Sequence, residues 1–257
     1  MKLAHMRKYL LSLIILTRAS LVRMNKHSVL GSLWALLQPF VHMCVISYIF
    51  SVLLKQPTEL MVKNLAATLP LWNFFTLSCN NAAISLIFRE NIIKKTAVSS
   101  LLFVIADLAV GVLLLLYSLA AMYFFVGIVY FDAISLKWLL TPIIILPFVI
   151  SVLAFAVIIA FATPYVRDIP QLLQVLLGVM YWTIPIVYPY SIIPESKQIF
   201  FDINPLYILI HPLQILMVED RIPDLYCMSK AILVTLITIF ISNFIYKRLK
   251  RSVVYYL

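Results

Sequence analysis

Apolar runs of about 20 residues, separated by short clusters of lysine and arginine, constrain this chain more than any motif in it. A helix rises about 1.5 Å per residue, so roughly 20 apolar residues are needed to cross the ~30 Å hydrocarbon core of a bilayer. Runs of this kind lie near residues 30–54, 65–88, 98–129, 138–164, 171–189 and 229–247. The third is long enough to tilt or to extend past the membrane. Only 12% of the residues are charged, roughly half the share that keeps the surface of a soluble domain hydrated. The sequence therefore predicts an all-α integral membrane protein of six transmembrane helices.

The start resembles a signal peptide, with Lys2, Arg7 and Lys8 ahead of the apolar stretch Tyr9–Thr17. No small-residue cleavage site follows, and nine apolar residues are too few to span. Residues 5–27 are read instead as a helix in the membrane interface, with Arg7, Lys8, Arg18 and Lys26 in one sector and Leu10, Leu13, Ile14 and Leu21 in another. This divides the chain into a cytoplasmic interfacial helix, 1–28, and a transmembrane domain, 29–257. Residues 190–228 hold the apolar stretch Asn204–Val218, too short to span. They are read as an outer cap with short re-entrant or interfacial helices before the last span.

The net charge of +10 does not point to nucleic acid, because the basic residues sit in short clusters between apolar runs. They set orientation instead. With the N-terminus inside, the cytoplasmic segments hold Arg18, Arg23, Arg89, Lys94, Lys95, Arg167, Lys247, Arg248, Lys250 and Arg251, and most of the acids fall outside. Both termini are expected in the cytoplasm.

Chemistry-bearing motifs are sparse. None of the four glycines begins a phosphate-binding loop, the four histidines lack metal spacing, and Cys44, Cys79 and Cys227 show no redox or metal pattern. Tyr181 and Trp182 lie about 10 residues, or ~15 Å, into the fifth run, away from the headgroup level where such rings collect. Packing between helices and a lining that stacks on a flat apolar ligand face both explain them. Asn73, Thr76, Asn80, Asn81 and Ser85 lie largely on one face of the second run, either bonding between helices or walling a polar conduit. Asp107 in the third run has Arg89 as its candidate partner. The charged segment Arg89–Ala97, with Ile92 and Ile93 at its centre, suits a solvated loop or a docking surface.

The order of segments resembles the permease subunit of ABC-2 exporters that secrete bacterial polysaccharides, the O-antigen, capsule and teichoic-acid group. The resemblance rests on Val29–Pro39 opening the first run, Leu69–Phe75 in the second and Arg89–Lys95 after it. Arg167–Asp168, Ile184–Tyr188 and Asn204–Pro205 continue it. The chain departs from that pattern at Thr96–Phe103, which has no proline, and at Gln214, where the family often has arginine. The resemblance implies a homodimeric channel in the inner membrane, driven by two copies of a separate cytoplasmic ABC ATPase, with no cofactor and no catalytic site in this chain. It implies a polysaccharide or lipid-linked glycan as substrate, with a drug, haem or lipid permease as the alternative and a membrane glycosyl- or acyltransferase further off. It implies Trp72, Phe74, Phe75, Tyr181 and Trp182 as channel lining. Arg18, Arg23, Arg89, Glu90, Lys94 and Lys95 are the residues that would face the ATPase.

Overall fold

The computed structural model describes residues 2–25, 31–95, 98–130 and 135–257. Within these, side chains are described from Leu10 onward except at residues 23–25, Ser32, Ala35 and Leu36. Among the described residues every regular element is helical. The elements are α1 (Lys2–Asn25), α2 (Trp34–Leu54), α3 (Thr58–Phe88), α4 (Glu90–Lys95), α5 (Ser100–Val129), α6 (Thr141–Ile144), α7 (Leu146–Ala162), α8 (Ile169–Thr183), α9 (Glu195–Asp202), α10 (Pro205–Val218), α11 (Leu225–Leu249) and α12 (Val253–Tyr256).

By length and composition, four stretches of the described chain can cross a membrane: Leu37–Leu54, Ser100–Val129, Leu136–Ala162 and Leu225–Leu249. Helices α9 and α10 add a fifth when taken as one segment bent by 109°. Each of the six expected runs contains a helix, but two of them differ from a simple apolar span. Helix α3 has 31 residues, or about 46 Å, yet it is studded with Asn64, Thr68, Asn73, Asn80 and Asn81. It can carry them because it is the hub of the fold, packed by α2, α5, α7, α8 and α10 and buried along most of its length. Polar side chains inside a bundle are shielded from lipid by protein.

Helix α8 is the second departure. Residues 171–189 read as a span, but the helix stops at Thr183 because Pro185 drives Ile184 into an extended conformation. Ile184–Val187 then run as buried non-helical backbone. Unpaired carbonyls at that depth are costly, and side chains supply the missing donors. Asn64 Nδ2 and Thr68 Oγ1 donate to Ile186 O at 2.9 and 3.0 Å. Gln214 Nε2 donates to Pro185 O at 2.8 Å and to Asn64 Oδ1 at 3.0 Å. Three distant segments are thereby pinned together.

Residues 190–228, expected to form a cap, hold two short helices, α9 and α10. Asn204 caps α10, its Oδ1 accepting from Leu206 N at 3.0 Å. Tyr190 stacks on Tyr207 with ring centroids 5.3 Å apart and donates to Asp202 Oδ1 at 2.9 Å. Helices α7 and α11 are joined by small hydroxyl residues, Ser151 to Thr235 at 2.9 Å and Ser242 to Ala154 O at 2.8 Å.

Candidate translocation face and coupling surface

Helix α3 has one open side. Trp72, Thr76 and Asn80 follow one another at intervals of four residues, with Asn73 beside them, so they share a face. Asn80 is exposed and Asn73, Thr76 and Asn81 are half-buried. Among the described residues, no side-chain hydrogen bond engages Asn73, Asn80 or Asn81, and Thr76 bonds only its own helix, at Asn73 O. Inter-helix bonding within one chain therefore does not account for this stripe. Ser85 leaves it: it is 2% exposed and turned inward toward Asp107.

Aromatic rings border one end of the stripe. Trp72 meets Phe75 at 5.8 Å and Tyr181 at 5.6 Å between centroids, and Tyr181 meets Trp182 edge-on at 5.2 Å. Phe155 of α7 stacks on Phe75 at 6.1 Å, a member of the cluster that the sequence reading missed. Tyr181 is half-buried against Trp72, while Trp182 is 60% exposed, the divergence that adjacent helical residues require. Phe74 does not join them. It points into the core against Phe148, and a Cβ on Gly111 of α5 would lie 3.3 Å from its ring. Its spacing from Trp72, two residues or ~200°, already carried that information. Of five proposed lining residues, the structure groups four.

At the end of the bundle that carries Arg89 and α4, a buried ion pair ties three helices together. Arg89 grips Asp107 with both terminal guanidinium nitrogens, Nη1 and Nη2, at 2.6 Å. Ser20 of α1 donates to Asp107 Oδ1 at 2.8 Å, and Ser85 of α3 donates to Oδ2 at 2.7 Å. Arg89 and Asp107 are 7% and 6% exposed, and Phe103 lies under the guanidinium at 5.6 Å. The Arg89–Asp107 pairing agrees with the sequence reading. The placement of Arg89 among surface residues that face a partner does not, because the guanidinium is turned inward. Its buried position follows from Asp107, whose carboxylate draws the guanidinium inward. Ser20 carried no sequence signal, since a single serine on an apolar face is common.

The segment after Arg89 is a helix, α4, not a solvated loop. Ile93 is its buried anchor, and Ile92 is exposed. Lys94 pairs with Glu90 at 2.7 Å on its outer side, and that bond holds the Glu90 carboxyl below its ordinary range. Lys95 is exposed beside it. The C-terminal α12 packs against α4, with Tyr165 hydroxyl 2.7 Å from Ser252 Oγ and Arg167 donating to Tyr256 O at 2.9 Å. Arg18 is exposed on α1, and the side chain of Arg23 lies outside the described residues.

The sequence model of the ABC-2 type transporter family matches residues 12–218, well over half of the chain. The chain is 27% identical over 195 residues to an O-antigen export system permease protein RfbA of Klebsiella pneumoniae, covering 76% of this chain and 75% of that protein. It is 25% identical over 214 residues to the protein of the same name from Myxococcus xanthus, covering 82% of each. A hub helix with an open polar face, helices apolar enough to cross a membrane and a match of this extent agree: the chain is a membrane protein of the ABC-2 type transporter family.

Proposed function

We propose that this chain is the channel-forming subunit of an ATP-driven exporter that moves a polysaccharide or lipid-linked glycan across the cytoplasmic membrane. The observation that carries this reading is the open face of α3, where unbonded amides lie in line with a cluster of aromatic rings. Amides offer donors and acceptors for hydroxyl groups, and aromatic rings offer flat faces for sugar rings. The names of the relatives point the same way. A fixed-charge pocket is absent from that face among the described residues, which suits a neutral chain sliding past.

The working unit is a homodimer. Helix α8 packs on α3, buries Leu173 and Leu177 and leaves Leu172, Val175, Leu176 and Val179 exposed. A second copy covering this face would enclose the stripe of α3 between the two chains. The chain crosses six times, with α3 and α8 adding to the four apolar stretches, both termini inside and the cap of α9 and α10 outside. Helix α1 lies in the inner interface, and α4, with Glu90, Lys94 and Lys95, meets a separate ABC ATPase. Arg89 acts from within: it locks α1, α3 and α5 into one body that moves when the ATPase pushes on α4.

Depleting the chain in its host should trap the glycan on the cytoplasmic side. Lectin access in intact spheroplasts against inverted membrane vesicles measures this. The proposal predicts glycan reachable only in inverted vesicles. Normal glycan display after depletion would refute it.

A further inference from the structure

A cavity of about 930 Å³ lies away from the open face of α3. It lies between α1, α5, α7 and α11, and α8 does not border it. Leu13, Leu21, Leu108, Val112, Val157 and Ile239 contribute apolar walls. Along α5 it runs from Leu101 to Leu113, twelve residues or about 18 Å. That is close to the hydrocarbon depth of a single bilayer leaflet, roughly 15 Å.

At its Leu101 end the groove continues into a second cavity of about 330 Å³, which shares Leu101 and Tyr246 with it. The chemistry changes there. Ser99, Ser100, Lys250 and Arg251 line this smaller space, and no carboxylate among the described residues does. Lys250 lies over the Tyr246 ring at 5.4 Å, and Ser99, at the start of α5, makes no side-chain cap. Arg18 of α1 lines the larger groove and has no ion-pair partner among the described residues. An apolar slot one leaflet deep, ending in hydroxyls and two cations, is complementary to a single amphiphile with an anionic head.

We propose that this groove holds an anionic membrane phospholipid, its acyl chain between α1, α5, α7 and α11 and its phosphate at Ser99, Ser100, Lys250 and Arg251. The lipid fills the space behind the docked α1 and so holds that helix against the bundle. This is independent of the glycan reading, because no described residue of α3 lines the groove.

Titrating the purified, delipidated chain with phosphatidylglycerol or phosphatidylcholine, followed by native mass spectrometry, tests it. Phosphatidylglycerol should bind at one per chain. Two basic side chains near an anionic headgroup predict roughly a 30-fold preference over phosphatidylcholine. The double variant Lys250→Gln, Arg251→Gln should lose that preference while melting normally without lipid. Ala109→Trp, which fills the groove from a half-buried position on α5, should weaken both lipids alike. Equal binding of the two lipids to the native chain would overturn the proposal, as would an unchanged preference in the double variant. A polyprenyl diphosphate that binds tenfold tighter than phosphatidylglycerol would also overturn it, reassigning the groove to a lipid carrier.

Discussion

Two residues decide most of the local argument, Asp107 and Trp182. A charged pair in a membrane protein survives burial only when every partner is satisfied, and Asp107 accepts from Arg89, Ser85 and Ser20. Removing one member leaves the other charge buried and unpaired, at a cost of about 3–5 kcal/mol. Asp107→Ala or Arg89→Ala should therefore cut the yield of folded protein sharply, read by thermal unfolding of the purified chain. The double variant Arg89→Met, Asp107→Leu should recover most of it, since replacing the whole pair by apolar groups is often near neutral. A single variant as stable as the native chain would contradict the buried network. Trp182 offers the opposite case. Being largely exposed in one chain, Trp182→Ala should leave folding intact and lower export roughly 2- to 12-fold, the worth of one aromatic stacking contact. Trp182→Leu restores bulk but no flat face and should rescue poorly. Tyr181→Ala, by contrast, removes packing against Trp72 and should lower abundance. Normal export by Trp182→Ala at normal abundance would remove that ring from the path.

At the scale of elements, α4 shows what periodicity conveys and what it hides. The charge pattern of residues 89–97 marked a surface that a partner could use, yet gave no sign of helix or of the inward turn of Arg89. Six residues are too few for a period, and the fate of Arg89 depends on Asp107, 18 positions away. If α4 transmits force from the ATPase, Lys94→Glu with Lys95→Glu should weaken ATPase co-purification while the chain still inserts. ATPase binding and export both unchanged would take α4 out of the mechanism. The long apolar runs were legible because composition alone defines them, and the centres of α2, α5, α7 and α11 fall where they were expected. Boundaries were less so. The first two turns of α3 are hidden by Thr58, Glu59, Lys63 and Asn64, which look like loop; of these only Asn64 is buried, held by Ile186 O and Gln214. The early stop of α8 was available from Pro185, but the apolar residues after it outweighed that signal. Helix α12 left no trace, because four residues held by Tyr165 and Arg167 depend on tertiary contacts alone.

In the whole molecule, polarity is sorted in an order that runs against a soluble fold. Helix α3, which carries Asn64, Thr68, Asn73, Asn80 and Asn81, is at the centre, and the more apolar α2, α5 and α7 pack around it. The stripe Asn73, Thr76 and Asn80 was readable as a face of α3, but not its openness, because exposure depends on where α2 and α8 leave room. In the proposed transporter this face lines a water-filled path for sugar. Cysteine substitutions at Asn73, Thr76 and Asn80, and at Phe74 and Ser78 as buried controls, can be made in a chain whose Cys44, Cys79 and Cys227 are replaced by serine or alanine. Labelling with a membrane-impermeant thiol reagent, in the complex with its ATPase and with glycan present or absent, measures access along the helix. Positions 73, 76 and 80 should react and be protected by glycan, while 74 and 78 stay unreactive. Silence at 73, 76 and 80 in the assembled complex, or equal reactivity at 74 and 78, would contradict such a path.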